Sequence, residues 1–229
     1  MNIAIIPARG GSKRIPRKNI KLFNGVPIIH YSIKAAIDSQ LFDRVIISTD
    51  DQEIADVSIA AGAEVPFLRS RELSNDHAGV LAVIQDSILQ LDSKPDRVTC
   101  IYATAPFLKK EDLLRSAKLL DQHPKASFII SSIAYDYPVH RSFIQDEHKK
   151  LSMLYPECYF ERSQDLPTVY HDAAMFYTAK TPIWLDSDRM YRNDAMLIPI
   201  PENRYCDIDT AEDWLRAEFL AEWNQKNRK

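Results

Sequence analysis

The chain opens on an apolar run, Ile3-Ala-Ile-Ile6, closed by turn-forming residues, which reads as a strand buried on both faces. A helical stripe follows Pro27, a residue suited to a first helical turn, with Ile29, Ile33, Ala36 and Ile37 at helical spacing. Val45-Ile-Ile47 is a second buried run. Asp50 and Asp51 open the next helix, with Asp50 as its cap; Ile54, Val57 and Ala61 share one face and Gly62 stops it. Glu64–Leu68 predicts a short third strand. A helix over 77–91 puts Leu81, Ile84, Ile88 and Leu91 in line, Val98–Tyr102 predicts a strand, and a helix over 110–122 carries Leu113, Leu114, Ala117 and Leu120. Ser127–Ile133 and, later, Ala173–Tyr177 read as further strands. Strands separated by helices of this length imply crossover connections, hence an α/β domain with a mostly parallel, twisted sheet and helices on both faces.

The rhythm breaks over 136–170, rich in Tyr, Pro, His and charge. A stretch this long without a period is usually functional or an interface. The whole chain, 1–229, reads as a single domain with 136–170 as an arm. The chain ends in a helix from Thr210, where Asp213 three residues on suggests a capping box, and Leu215, Phe219 and Trp223 fall in line along it.

Charge changes the picture little overall and much locally. The 29 Lys+Arg against 32 Asp+Glu leave a net charge of −3, too acidic for general nucleic-acid binding. No apolar run approaches the roughly 20 residues of a membrane span. The first residues form a strand pattern, without the basic and long apolar regions of a signal peptide. Cys100, Cys158 and Cys206 lie far apart, with no metal-binding spacing. A reducing cytoplasm is the expected location.

Against that acidic background, six basic residues fall between Arg9 and Lys21. The loop Arg9-Gly10-Gly11-Ser12-Lys13-Arg14-Ile15-Pro16-Arg17-Lys18-Asn19 follows the first strand, where ligands bind in open α/β sheets. Gly10 and Gly11 let backbone N–H groups approach a ligand, and the cations suit phosphates. The spacing is neither a Walker A loop nor a dinucleotide fingerprint. The alternative is a solvated basic loop. Late in the chain, Asp207 and Asp209 flank Ile208 just before the last helix; in an extended segment they point the same way and suit a hard cation such as Mg²⁺, or else serve the helix end. Arg69 begins a charged stretch of the kind that usually faces solvent. No nucleophile–histidine arrangement stands out.

Taken together, these residues resemble the CMP-sialic acid synthetases, or acylneuraminate cytidylyltransferases. Ile5-Ile-Pro-Ala-Arg-Gly-Gly-Ser-Lys13 with Lys18-Asn19 looks like that family's signature loop, and Val45–Asp50, Arg69 with Glu72-Leu73, and Asp207-Ile-Asp209 follow in its order. The resemblance implies a Rossmann-like fold of the nucleotide-diphospho-sugar transferase type and transfer of CMP from CTP to a nine-carbon acidic sugar. It implies that Arg9, Ser12, Lys13 and Lys18 hold the triphosphate, that Asn19 and Arg69 lie near the nucleoside, and that Asp207 and Asp209 bind Mg²⁺. Arg9, Lys13, Lys18 and Asp209 are the expected catalytic groups. It also implies a homodimer whose arm reaches the partner's sugar site; the arm's many aromatic and apolar residues fit an interface.

Three segments depart from the family pattern: Ile101-Tyr-Ala-Thr-Ala-Pro106, Tyr137-Pro-Val-His-Arg141 and His171-Asp-Ala-Ala174. All lie on the acceptor side and look like the pseudaminic acid branch. Tyr102 would offer a ring face to a methyl or acetyl group, Arg141 or Arg162 would meet the sugar carboxylate, and Gln164, His171 and Asp172 complete the sugar-side candidates. The alternatives are sialic or legionaminic acid as acceptor, or a non-catalytic nucleotide-binding protein that keeps the basic loop without needing the carboxylates.

Overall fold

Ile3, Ala4, Ile5 and Ile6 are all fully buried, because strand β1 (Asn2–Pro7) is covered on both faces. The computed structural model describes residues 1–227, so the last two residues of the expected 1–229 domain lie outside the described residues. After β1 come a small hairpin of β2 (Leu22–Phe23) and β3 (Val26–Pro27), helix α1 (Ile29–Ser39), β4 (Arg44–Ser48) and α2 (Gln52–Ala60). Next are α3 (Val80–Leu89), β5 (Arg97–Ile101), α4 (Lys110–Gln122) and β6 (Ile129–Ala134). The arm carries a hairpin of β7 (Phe143–Gln145) and β8 (Leu151–Met153), and the chain ends with β9 (Tyr170–Lys180), α5 (Thr181–Asp186), β10 (Met196–Pro199) and α6 (Ala211–Lys226).

The central sheet has the order β10-β6-β9-β5-β1-β4. β1 pairs in parallel with β4 and β5, β10 with β6, and β9 runs antiparallel between β5 and β6. The sheet is thus mostly parallel, as expected, with one reversed strand inside it. Alternate residues of each strand feed two cores. Ala4, Ile6 and Ile47 pack under Ile29 and Ile33 of α1 and Leu113 and Leu120 of α4. Ile3, Ile5 and Ile46 pack under Ile84 and Ile88 of α3 and Trp184 of α5. Trp184 donates its Nε1–H to the Val98 carbonyl at 3.0 Å, so the indole is buried without an unpaired donor.

Two expectations change. The segment 64–68 is not a continuous strand: it touches β4 through two isolated parallel bridges, Ile46 to Glu64 and Thr49 to Leu68. Pro66 lies between them and has no N–H to continue the ladder. Asp50 is not the cap of α2; Asp51 is, accepting from the Ile54 N–H at 3.0 Å. At the other end of α2, Gly62 has φ +95°, the left-handed conformation expected of a helix stop.

A third cluster positions the site. Ile15 of the opening loop, Phe23, Ile28, Ile208 and Trp214 are buried together. This packing draws the basic loop and the Asp207–Asp209 segment against each other across almost the whole length of the chain. The Leu215–Phe219–Trp223 line on α6 faces outward, while Trp214, Ala217 and Ala221 face the core.

Candidate active site

The loop after β1 is held open by carboxylates from the β4–α2 turn. The Gly10 N–H donates to Asp50 Oδ1 at 2.9 Å. A Cβ on Gly10 would stand 2.6 Å from Asp51 Oδ2, so no larger residue fits there without moving that carboxylate. A Cβ on Gly11 would meet nothing within 4 Å. Arg17 turns the loop with φ 56° and grips Asp51 through both terminal nitrogens, at 2.5 and 2.8 Å, and Glu53 at 2.5 Å. That guanidinium, with the Ile54 N–H, holds the Asp51 carboxyl at about 2, well below the usual range. Buried Asn19 ties the loop to itself by donating from Nδ2 to the Arg9 carbonyl at 2.9 Å.

Between this loop and α3 is a cavity of about 230 Å³. Arg9, Lys13, Arg14, Lys18 and Arg69 supply five cations to its lining, against the single carboxylate of Asp209. Ser12, Asn19 and Tyr102 also line it. Arg69 is not the solvent-facing residue that the charged stretch suggested. It is only 6% exposed, 4.0 Å from Asp50 and within 3.2 Å of the Ser74 hydroxyl, and burial pulls its guanidinium below its usual value. At the mouth, Asp76 pairs with Arg9 at 2.7 Å and with Lys13.

On the far wall, Lys18 Nζ donates to the Ile208 carbonyl at 2.7 Å and lies 3.2 Å from Asp209, whose other oxygen meets Arg14 at 2.8 Å. The helix end is served by others: Thr210 and Asp213 form the capping box of α6, and the Asp209 and Thr210 N–H groups both donate to Asp213. The two aspartates are therefore free of the capping role. Both line a second, larger cavity of about 1000 Å³, with Asp209 shared between the two. Burial and the charge of Asp209 push the Asp207 carboxyl up, and Asp207 takes part in none of the ion pairs among the described residues. Nor do those residues gather three or more metal-ligating side chains anywhere. Two carboxylates with room for water and phosphate oxygens match the sparse protein ligation that Mg²⁺ accepts.

The sugar-side candidates divide. Tyr102 lines the smaller cavity, its hydroxyl 3.5 Å from that of Tyr177, and burial pushes its phenol up. His171 lines the larger one, between the rings of Tyr135 and Tyr205, 4.7 and 5.4 Å away by centroid. Asp172 is already committed: it accepts from the Tyr191 hydroxyl at 2.8 Å, the Tyr177 hydroxyl and the Ala174 N–H. Arg141, Arg162 and Gln164 sit on the arm and line neither cavity. Arg141 donates to the Glu161 carbonyl, Arg162 pairs with Asp165 at 2.6 Å, and Gln164 is exposed.

Residues 3–214 match the family model described as Cytidylyltransferase. The chain belongs to the cytidylyltransferase family. It is 42% identical to the pseudaminic acid cytidylyltransferase of Campylobacter jejuni, over 99% of this chain and 98% of that one. It is 31% identical to the CMP-N,N'-diacetyllegionaminic acid synthase of Legionella pneumophila, over 98% and 97% of the two chains. Among solved structures, CMP:2-keto-3-deoxy-manno-octonic acid synthetase complexed with CTP superposes with a TM-score of 0.71 at 15% identity, covering 97% of this chain and 99% of the other; that likeness concerns the fold.

For this cytidylyltransferase the sequence pattern did not single out several residues that the fold brings against the candidate site. Arg14 stood unmarked within the basic run, yet it pairs with Asp209. Asp50 and Asp51 are adjacent, and no pattern says which caps and which holds Gly10. Asp76, Tyr177 and Tyr191 carried no signal, because their roles depend on partners far away in the chain.

Proposed function

We propose that this chain transfers CMP from CTP to the 2-hydroxyl of a nine-carbon acidic sugar, pseudaminic acid, and releases pyrophosphate. The observation that carries the reading is the cation-lined cavity facing Asp209 at the carboxyl ends of the strands. The triphosphate lies along Arg9, Ser12, Lys13 and Lys18, Gly11 admits it close to the backbone, and the nucleoside points toward Asn19 and Arg69. The 2-hydroxyl gives up its proton to solvent and its oxygen forms a bond to the α-phosphorus as the bond to the β-phosphate breaks, and the electron pair leaves on pyrophosphate. Arg9 and Lys13 neutralise that departing charge, and Lys18 steadies the phosphates beside Asp209. No covalent nucleophile is needed, since positioning and charge stabilisation suffice.

Asp207 and Asp209 are the residues that would hold Mg²⁺; a cation there relieves the crowding that raises the Asp207 carboxyl. When bound, it supplies Lewis-acid polarisation of a phosphate oxygen. On the sugar side, Tyr102 and His171 face the acceptor. Arg141, Arg162 and Gln164 come to it from the arm of a second subunit, in a homodimer supported by exposed Tyr137, Phe143, Leu151 and Phe160. A cytoplasmic location goes with the three unpaired cysteines; no helix among the described residues is long and apolar enough to cross a membrane.

Pyrophosphate release from CTP and Mg²⁺ with pseudaminic, legionaminic, sialic and eight-carbon acidic sugars tests this. The expected result is the highest kcat/KM with pseudaminic acid and loss of turnover in EDTA. Equal or better turnover of sialic or legionaminic acid reassigns the sugar and leaves cytidylyl transfer standing; release with none of them overturns the reading.

A further inference from the structure

Asp207 and Asp209 sit on a segment with little backbone support of its own. β10 ends at Pro199, and a single turn over Glu202–Arg204 follows it. Beyond that turn, the N–H groups of Cys206, Asp207 and Ile208 donate to no acceptor among the described residues. The capping box of Thr210 and Asp213 fixes the segment from behind, and buried Ile208 pins its middle. On the side of approach the anchor is Arg204. Its Nη1 and Nη2 donate to the two oxygens of Asp112 at 2.5 and 3.0 Å, a forked pair between side chains that are 12% and 2% exposed. The adjacent Asn203 adds a bond to Asn224 of α6 across the surface.

Asp112 belongs to the first turn of α4, where it also accepts from the Lys109 N–H at 3.1 Å and stands 3.7 Å from Arg115. α4 is itself fixed in the core by Leu113 and Leu120. The loop that leads into this turn begins with Tyr102, Ala103 and Thr104, which line the cation-lined cavity. One ion pair, between residues 92 apart in the chain, therefore joins the frame of that cavity to the segment of the two aspartates. Burial makes such a pair a poor source of stability. Desolvation of both charges offsets most of their attraction, and apolar residues in the same place are often as stable. What a guanidinium fork on a carboxylate does supply is direction, because two parallel bonds fix both the distance and the plane of the group.

We propose that Arg204 is a positioning residue: through its fork on Asp112 it sets where Asp207 and Asp209 stand relative to the cation-lined cavity. The proposal rests on those two aspartates being the carboxylates that hold the divalent cation, as argued above. Its test uses two variants. Arg204→Lys keeps a charge beside Asp112 and gives up the fork; Asp112→Asn with Arg204→Met removes both charges and keeps an acceptor for the Lys109 N–H. Three quantities are measured: the melting temperature, the affinity of the nucleotide-free protein for Mn²⁺ from the electron paramagnetic resonance of the free ion, and steady-state kinetics with CTP and Mg²⁺. The double variant should melt close to wild type. In both variants the Mn²⁺ affinity and kcat should each fall about tenfold, while KM for CTP changes less than about twofold because the basic loop is untouched. Mn²⁺ affinity and kcat at wild-type levels in folded variants would overturn the proposal. So would variants that do not fold, or that lose melting temperature alone, since the pair would then serve stability. Mn²⁺ bound equally by wild type and by Asp207→Asn would overturn the metal reading of the aspartates and the positioning role with it. Since the Mn²⁺ measurement needs no sugar, a wrong acceptor assignment leaves it unaffected.

Discussion

A methyl group added to Gly10 and one added to Gly11 meet opposite surroundings. At Gly10 it strikes Asp51, whose carboxylate Arg17 and the Ile54 N–H hold in place. Gly10→Ala should therefore lower both the melting temperature and turnover. At Gly11 the space is open, and φ is outside the left-handed range. Gly11→Ala should leave thermal stability level or slightly raised, yet increase KM for CTP about tenfold or more if the triphosphate occupies that space. Unchanged kinetics in Gly11→Ala would remove the triphosphate from that side of the loop. Asp209→Asn should cost about 10²–10³ in kcat in the pyrophosphate assay. The Asp51 carboxyl gives a pH signature. Its folded value is depressed to about 2, so its stabilising contribution is complete above the ordinary carboxylate range near 4 and is lost as pH falls toward 2. Acid unfolding of Arg17→Ala should lack that part of the pH dependence.

At the scale of elements, the loop between the 64–68 segment and α3 sets a carboxylate against two cations of the smaller cavity. Asp76 on this loop occupies Arg9 and Lys13. Exposed ion pairs are weak and yield readily to a polyanion. Asp76→Asn should lower KM for CTP about two- to fivefold, with kcat little changed; a higher KM would mean that Asp76 organises the loop. The elements themselves were unevenly legible. β1, β4, β5 and β6 announced themselves because burial on both faces demands continuous apolar runs. α5 and β10 span six and four residues, too short for any period to emerge. The reversed direction of β9 left no mark either, because a strand's side-chain pattern is the same whichever way it runs. The basic loop and the aspartate pair were legible as charged clusters, which the fold brings side by side, whereas the contacts of Arg14, Asp76 and the tyrosines around Asp172 form only across the fold.

For the whole molecule, two of the exposed apolar groups bear on assembly, one on the arm and one on α6. Phe160 of the arm is 91% exposed, and Phe219 of α6 is 71% exposed beside the large cavity. Light scattering at micromolar concentration should give twice the 26.3 kDa chain mass. In the proposed dimer, Phe160→Asp should shift that mass toward the monomer and lower turnover together, because the arm's arginines would then no longer reach a partner's sugar site. A monomeric wild type would contradict this assembly.

Asp209 stands in the wall common to the cation-lined cavity of the basic loop and the large cavity beside α6, held by Arg14 from one side and Lys18 from the other. Phosphates that draw those two cations toward themselves strip Asp209 of its counter-charges and expose it to the neighbouring cavity. Under the proposed function the two cavities would be thermodynamically linked: whatever factor CTP applied to the affinity for the acidic sugar, the sugar would apply to the affinity for CTP. Arg14 pairs with Asp209 from the rim of both cavities, so on this reading Arg14→Ala should bring the two substrates closer to independent binding, checked by measuring the affinity for each with and without the other.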